Sequence, residues 1–199
     1  MKHKKTDIRK EITYKKLSNS LFKLLETKPF EEIKVIDICN DAGIHRSTFY
    51  YHFNDKYELL EKSIYEFTKE LNNKIKDKEY KNIVEYYYIL TKEYLEHINE
   101  NRNIYLAMLN NNQHSESLGI IYNIVLENIK ENLDLEIKKG KKYPVSTDII
   151  AEYYSGAILK STEYWIKNSE RIDKEEFLKD LNILLFNPLI NGDLGSLNQ

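Results

Sequence analysis

The sequence predicts an all-α fold of about nine helices. Apolar residues recur at intervals of three and four along most of the chain, which is the spacing of one helix face. No stretch shows the strict alternation of apolar and polar residues that a half-buried strand requires. The 199 residues include only six glycines and three prolines, and 31% of them are charged, which is typical of long helices with solvated faces.

Helix 1 is predicted to begin at a cap formed by Thr6 or Asp7 and to end at Leu25. Its apolar stripe consists of Ile8, Ile12, Leu17, Leu21, Leu24 and Leu25. The preceding residues 2–5, Lys-His-Lys-Lys, are expected to be a disordered arm in the free protein, with weak attraction to phosphate. Pro29 prevents the helix from continuing.

Helices 2 and 3 are predicted over residues 35–42 and 45–52, with a tight turn at Gly43 because glycine tolerates left-handed backbone. The apolar face of helix 2 consists of Val35, Ile38, Cys39 and Ala42, at positions i, i+3, i+4 and i+7. Helix 4 begins after Asp55, which forms an Asp-x-x-Glu capping box with Glu58, and fades near residues 76–78.

The remaining helices are predicted over residues 80–99, 101–111, 115–139 and 146–168, and from a cap at Asp173 onward. An Asn-rich loop at 110–113 separates the second of these helices from the third, and Gly140 ends the third. We expect an N-terminal domain of residues 1–54, a C-terminal helical domain of residues 55–190 and a frayed tail at 191–199. Helix 4 joins the two domains without a flexible linker.

Composition and charge restrict the class of protein. The single cysteine, Cys39, excludes an internal disulfide and favours a reducing, cytoplasmic location, where we expect it to be an inert packed thiol. No apolar run is long enough to span a membrane, and the N-terminus lacks the apolar core of a signal peptide. The net charge is −2, yet residues 1–53 hold eleven Lys or Arg against seven Asp or Glu. That basic N-terminal part favours an approach to phosphate.

Helix 3 has a polar and aromatic face opposite an apolar one. The polar face falls within one arc of the helix and consists of Arg46, Ser47, Tyr50 and Tyr51. Phe49 and Phe53 point to the opposite side and are expected to be core. A short helix of this kind, set after a tight turn, has the geometry of a helix-turn-helix recognition helix in a DNA major groove. Double-stranded DNA is therefore the expected partner.

Residues 33–38 and 42–60 resemble the TetR family of bacterial transcriptional regulators. The most specific part is the pattern Thr-Phe-Tyr-x-His-Phe-x-x-Lys-x-x-Leu, which runs from Thr48 to Leu59. The C-terminal part is similar to a TetR subgroup that includes regulators related to the dihydroxyacetone kinase activator. The residues that carry this second similarity are Leu95, Ile98, Asn101, Arg102, Tyr105, Tyr154, Gly156, Ala157, Ile158, Tyr164, Trp165 and Ile166.

The resemblance implies a helical head and body, a homodimer formed mainly by the last two long helices, and a palindromic operator. Most members of the family are repressors that a small effector releases from DNA, and some are activators or co-regulators. The DNA-binding positions carried over are Lys34, Arg46, Ser47, Thr48, Tyr50, Tyr51, His52 and Lys56. Arg46 and Ser47 match base-facing positions, whereas Lys34 and Lys56 match phosphate-contacting ones. Many relatives have Ser or Thr at the position of Lys34 and Ser at the position of His45. We therefore expect weaker N-caps on helices 2 and 3 in this chain.

Aromatic residues in the C-terminal part predict either a packed core or an effector pocket. Buried tyrosine hydroxyls need polar partners, which a ligand or ordered water would provide. The residues expected to line such a pocket are Tyr87, Tyr94, Tyr105, Met108, Tyr122, Tyr154 and Trp165. The alternative is a filled body without a small-molecule pocket, in an activator or co-regulator that a protein partner controls.

No arrangement of residues predicts an enzyme. The five histidines are scattered, and no Ser/His/Asp set, Cys/His pair or Gly-rich phosphate loop is convincing. Glu93 and His97 have the i, i+4 spacing of metal ligands, but a solvated helix face is the favoured interpretation in a chain so rich in glutamate. We therefore expect no catalytic residues, no metal site and no cofactor.

Overall fold

The computed structural model of the protein describes the backbone of residues 2–76, 83–109 and 116–190, and the side chains of residues 8–75, 85, 88–109 and 116–185. These ranges contain nine α-helices and no strand, which confirms the predicted all-α fold. Their bounds are α1 Lys2–Leu25, α2 Val35–Ala42, α3 Arg46–His52, α4 Lys56–Lys76, α5 Ile83–Glu100, α6 Arg102–Leu109, α7 Glu116–Lys138, α8 Thr147–Asn168 and α9 Lys174–Ile190. A 3₁₀ turn, Phe30–Glu32, lies between α1 and α2. Within these ranges, no helix is long and apolar enough to cross a membrane.

The start of α1 differs from the prediction. The helix begins at Lys2, so the backbone of residues 2–5 is helical and the expected disordered arm is wrong. Lysine is a good helix former and no Gly or Pro interrupts this stretch, which explains why the helix continues. Ile8 and Ile12 are each 51% exposed, so the buried stripe of α1 begins only at Leu17. The predicted loop at 110–113 and the tail at 191–199 lie outside the described residues.

Packing divides the chain into two compact units, each considered alone. The first unit comprises Met1–Lys69 and Asn101–Ile124. Its core consists of Leu17, Leu21, Leu25, Phe30, Ile33, Ile38, Cys39, Phe49, Phe53, Leu59, Leu60, Ile104 and Met108. The predicted burial of Phe49 and Phe53 is therefore confirmed, and α3 is fixed by its apolar side.

Buried hydroxyls join the helices around that core. Ser18 Oγ of α1 donates a hydrogen bond of 2.8 Å to Ser63 Oγ of α4. Ser63 Oγ in turn donates to the Leu59 carbonyl at 2.7 Å, and Ser20 Oγ donates to the Ile38 carbonyl of α2 at 3.0 Å. Satisfied polar groups inside an apolar core restrict the helices to one arrangement. The frame that holds α3 is therefore well defined.

The second unit comprises Glu70–Glu100 and Val125–Gln199. Here α9 packs against both α5 and α8, and an ion pair between Glu96 and Lys174 joins α5 to α9. The rings of Trp165 on α8 and Phe177 on α9 stack with centroids 5.4 Å apart. Ile150, Ala151, Trp165 and Ile166 form the buried apolar side of α8.

The two units do not follow the predicted division into residues 1–54 and 55–190. Most of α4 belongs to the first unit, and α6 packs against α1 with Ile104 and Met108 in the core. The first unit is therefore discontinuous in sequence, because α6 supplies side chains to a core built mainly by the first four helices. The functional division into a DNA-binding and an effector domain stays a prediction.

Candidate nucleic-acid interface

Helix α2 is held by hydrogen bonds at both of its ends. Lys34 precedes α2 and has no side-chain oxygen to cap it, but the Asp37 carboxylate accepts a hydrogen bond of 3.1 Å from the Lys34 backbone N–H. This is one half of a capping box, and it offsets the expected weakness. Gly43 follows α2 with φ 63° and ψ 35°, in the left-handed region that favours glycine. The Ile44 N–H then donates to the Cys39 carbonyl at 2.9 Å.

The first turn of α3 relies on backbone bonds. The His45 carbonyl accepts hydrogen bonds from the N–H groups of Thr48 and Phe49 at 2.9 and 3.1 Å. The His45 ring makes no capping bond to the backbone, which agrees with the expectation of a weaker cap. Its Nδ1 lies 3.4 Å from Ser47 Oγ. The hydroxyl of Ser47 is therefore only loosely held and is available to a partner.

The polar face of α3 points away from the core. Arg46, Ser47, Tyr50 and Tyr51, from here on the reading face, are all exposed. Tyr51 is 74% exposed and Tyr50 is 49% exposed, whereas Phe49 behind them is fully buried. The Arg46 guanidinium carbon lies 5.8 Å from the centroid of the Tyr50 ring, so a cation–π contact restricts the arginine. An arginine fork held in this way suits the O6 and N7 atoms of guanine.

Thr48 and His52, which were predicted as flanking contacts, are half-buried. The His52 ring meets the Tyr51 ring edge-on at 5.1 Å and lies 6.3 Å from the Phe53 ring. Burial, together with the charges of Lys10 and Lys62, lowers the pKa of His52 below its usual value. At neutral pH His52 is therefore a neutral hydrogen-bonding group at the edge of the reading face.

The two predicted phosphate-contacting lysines are placed differently. Lys34 is exposed at the start of α2, whereas the Lys56 side chain is 12% exposed. The Lys56 ammonium donates to the carbonyls of Phe30 and Glu31 at 2.8 and 3.0 Å. It also lies 4.6 Å from the Phe30 ring centroid, and burial lowers its pKa. Two of the three N–H donors of the Lys56 ammonium are therefore used within the protein, where they tie α4 to the 3₁₀ turn.

The predicted cap of α4 is confirmed. Asp55 Oδ1 accepts hydrogen bonds from the N–H groups of Tyr57 and Glu58, each at 2.9 Å. The Glu58 carboxylate reaches back to the N–H of Asn54 at 2.7 Å rather than to that of Asp55. The Tyr57 hydroxyl donates to the Glu31 carboxylate at 2.6 Å, so a second bond joins α4 to the 3₁₀ turn.

The residues predicted to line an effector pocket are divided between the two units. Tyr105, Met108 and Tyr122 belong to the first unit, whereas Tyr94, Tyr154 and Trp165 belong to the second. The side chain of Tyr87 lies outside the described residues. Met108 is part of the first core, and the Tyr154 hydroxyl donates to the Leu185 carbonyl at 2.9 Å. The Leu185 carbonyl thus provides the polar partner that the Tyr154 hydroxyl needs, without a ligand. The effector pocket stays a prediction.

Two protein families match different parts of the chain. The family described as "Bacterial regulatory proteins, tetR family" matches residues 20–62, which include the reading face. The family described as "Transcriptional regulator C-terminal region" matches residues 85–187. The chain belongs to the tetR family. The second match covers the stretch whose residues resemble the subgroup of the dihydroxyacetone kinase activator.

One curated relative of this tetR-family chain is similar to it over a short stretch. The HTH-type transcriptional regulator EthR of Mycolicibacterium smegmatis is 53% identical over 38 residues. The match spans 19% of this chain and 18% of the length of that relative. The likeness is therefore confined to one segment.

Solved structures share the fold of the tetR-family chain over most of its length. A TetR-family regulator from Syntrophomonas wolfei is 20% identical with a TM-score of 0.68, covering 87% of this chain and 92% of that one. The dihydroxyacetone kinase operon activator DhaS is 23% identical with a TM-score of 0.56, covering 88% and 95%. FadR from Bacillus subtilis, in complex with stearoyl-CoA, is 17% identical with a TM-score of 0.58, covering 86% and 97%. At these identities the likeness shows the fold alone.

Sequence reasoning missed several contacts around α3 in the tetR-family chain. Glu31 and Tyr57 were not singled out, because their bond joins positions far apart in sequence. Lys10 and Lys62 were missed for the same reason, since each approaches His52 only in the folded chain. A helical wheel of α3 alone contains no signal for either pair.

Proposed function

We propose that this tetR-family chain is a homodimeric repressor that recognises a palindromic operator with the reading face of α3. The observation that carries the proposal is the outward placement of Arg46, Ser47, Tyr50 and Tyr51 above a buried phenylalanine anchor. Arginine provides bidentate donors for guanine, and hydroxyl groups and rings suit phosphates and thymine methyls. The excess of Lys and Arg within residues 1–53 favours the same end of the chain for DNA.

An exposed apolar face on the second unit supports the dimer. Ile149, Tyr153 and Tyr164 of α8 are all exposed. Their spacings of four and eleven residues keep them within one arc. Ile183 and Leu184 of the neighbouring α9 are exposed as well, and Leu184 is 66% accessible. We refer to these five residues as the dimer face, since an exposed apolar surface of this kind favours a second copy.

A small effector that binds the second unit is the proposed signal. The indole N–H of Trp165 is buried and has no hydrogen-bond partner among the described residues, so an acceptor group on a ligand would satisfy it. The related fold of FadR is seen in complex with stearoyl-CoA. To release the operator, the effector must bind the DNA-incompetent conformation more tightly than the competent one.

A second candidate is an activator or co-regulator that a protein partner controls. The similar fold of DhaS, which is named an operon activator, favours this alternative. Such a regulator would bind DNA in the same way as the repressor. Its second unit would be filled by side chains and would have no small-molecule pocket. A change in melting temperature with a small molecule would count against it.

The proposal is tested by selection of bound fragments from random or genomic DNA with the purified full chain. We expect enrichment of one common motif with two related half-sites, because a two-fold dimer presents two identical reading faces. A recovered pool with no common motif, under salt conditions that suppress non-specific binding, would exclude a sequence-specific regulator.

A further inference from the structure

Three helices meet at the C-terminal end of α3. The ring of Tyr14 on α1 lies 6.4 Å from that of Phe53, which directly follows α3. The centroid of the His52 ring also lies near Phe53, at 6.3 Å from that of the Phe53 ring. Lys62 Nζ of α4 lies 4.9 Å from the centroid of the Tyr14 ring. A row of aromatic rings therefore holds the Lys62 ammonium near the end of the recognition helix.

Lys10 belongs to the same place. It precedes Tyr14 by four residues, so the two side chains share one face of α1. The charges of both Lys10 and Lys62 act on the His52 ring, and no carboxylate is among the groups that influence it. We call Lys10, Lys62 and His52 the basic corner. Its two ammonium groups come from different helices, and their charges act together on His52 only in the folded protein.

Among the described residues, no carboxylate neutralises the basic corner. Lys10 and Lys62 are both exposed, and within the described part of the chain neither forms an ion pair with a carboxylate. Neighbouring acidic groups bind elsewhere, since Glu11 pairs with Lys15 at 2.9 Å and Glu58 binds Asn54 at 2.9 Å. Two unpaired cations in one place repel each other, and an anion between them would remove that cost.

We propose that the basic corner is a binding site for the DNA backbone, in which Lys10 and Lys62 hold a phosphate that borders the groove read by α3. His52 directly follows Tyr51, the last residue of the reading face, so a strand that flanks this face passes the corner. His52 supplies a neutral N–H donor there, and the two lysines supply the charge. This inference rests on the proposed function, because it assumes that α3 docks on duplex DNA.

The site makes a quantitative contribution to salt dependence. Each lysine that contacts a phosphate releases counterions from the DNA. The slope of the logarithm of the binding constant against the logarithm of the salt concentration then becomes steeper by about 0.9. A phosphate-contacting lysine does not read bases, so its removal weakens all sequences alike. The basic corner therefore affects affinity and salt slope, and it leaves base preference unchanged.

The test is fluorescence anisotropy of the full chain on a selected operator fragment and on random duplex, between about 50 and 200 mM KCl. We expect the variant carrying both Lys10→Gln and Lys62→Gln to bind both duplexes less tightly, with a slope smaller by about 2 per protomer, or about 4 for the dimer. A variant carrying Lys10→Arg and Lys62→Arg keeps the charges and should retain the slope. Lys179→Gln, which removes an exposed lysine of α9, should bind like the unchanged protein.

A wild-type slope in the double glutamine variant would overturn the inference. If the unchanged protein shows no preference for the selected fragment, the proposed function fails instead. Thermal unfolding of each variant guards against a folding defect, because Lys62 also packs on the Tyr14 ring. If the double variant has a folding defect, Lys10→Gln alone must still lower the slope by about 1 per protomer, or about 2 for the dimer, and an unchanged slope would contradict the site.

Discussion

Lys56 shows how a residue of a family motif can act within the fold. The sequence pattern assigns it to phosphate, yet its ammonium binds the carbonyls of Phe30 and Glu31. The reading face, in contrast, was predictable, because exposure around α3 follows directly from helical spacing. The partners of Lys56 were not predictable from spacing, because a lysine Nζ can reach the backbone of any element that tertiary packing brings near.

Replacement of Lys56 by methionine should therefore lower stability. The change removes the Nζ donor from the Glu31 carbonyl and from the Phe30 carbonyl, which keeps the Ile33 N–H as a second donor. An unpaired polar group in a partly buried site costs about 1–3 kcal/mol. Urea unfolding at pH 7 measures the effect. Lys69→Met, at an exposed position of the same helix, is the matched control and should stay within about 0.5 kcal/mol. Equal unfolding midpoints for the two variants would contradict the structural role of Lys56.

The helix elements were predicted better than their surroundings. The turn at Gly43 and the cap at Asp55 follow from local chemistry, which the sequence contains in full. The helical state of residues 2–5 and the exposure of Ile8 and Ile12 were missed. Helical spacing shows which side chains share a face, but it does not show where the neighbouring helix that covers this face ends.

Two glycine substitutions separate the backbone effect from packing. An added Cβ at Gly43 or at Gly119 meets nothing within 4 Å, so neither change creates a clash. Gly43 has φ +63°, and Gly43→Ala should therefore destabilise the protein by about 1–2 kcal/mol. Gly119 lies inside α7, where Gly119→Ala should raise stability by up to about 1 kcal/mol. Thermal unfolding in which Gly43→Ala melts at or above the temperature of the unchanged protein would refute the left-handed turn.

At the scale of the whole molecule, the fold class was predictable and the grouping of helices was not. The all-α prediction rests on a periodicity that repeats in every segment. The placement of α6 in the first unit depends on Ile104 and Met108 finding a distant core, and nothing local marks this. The exposed apolar residues of α8 could not be recognised in advance for a related reason, since an apolar stripe that a partner copy is proposed to bury looks like core in the sequence of one chain.

The dimer face predicts the oligomeric state. Leu184→Glu places a charge on an apolar surface that is proposed to bury itself against a second copy, so the variant should be monomeric. Light scattering after size exclusion measures the mass directly. Ile12→Glu, at an exposed apolar position of the first unit, is the matched control and should remain a dimer. A dimeric Leu184→Glu variant, or a monomeric unchanged protein, would rule out this face.

The most direct test of the central claim is the base preference of Arg46→Ala, measured by titration of the selected operator and its single-base variants. We expect a loss of roughly 1–3 kcal/mol in binding and a relaxed preference at one position of each half-site, because the guanidinium is assigned to a base edge. Lys34→Ala should instead weaken every sequence alike. If Arg46→Ala retains the affinity and the base preference of the unchanged protein, α3 does not read DNA through this face.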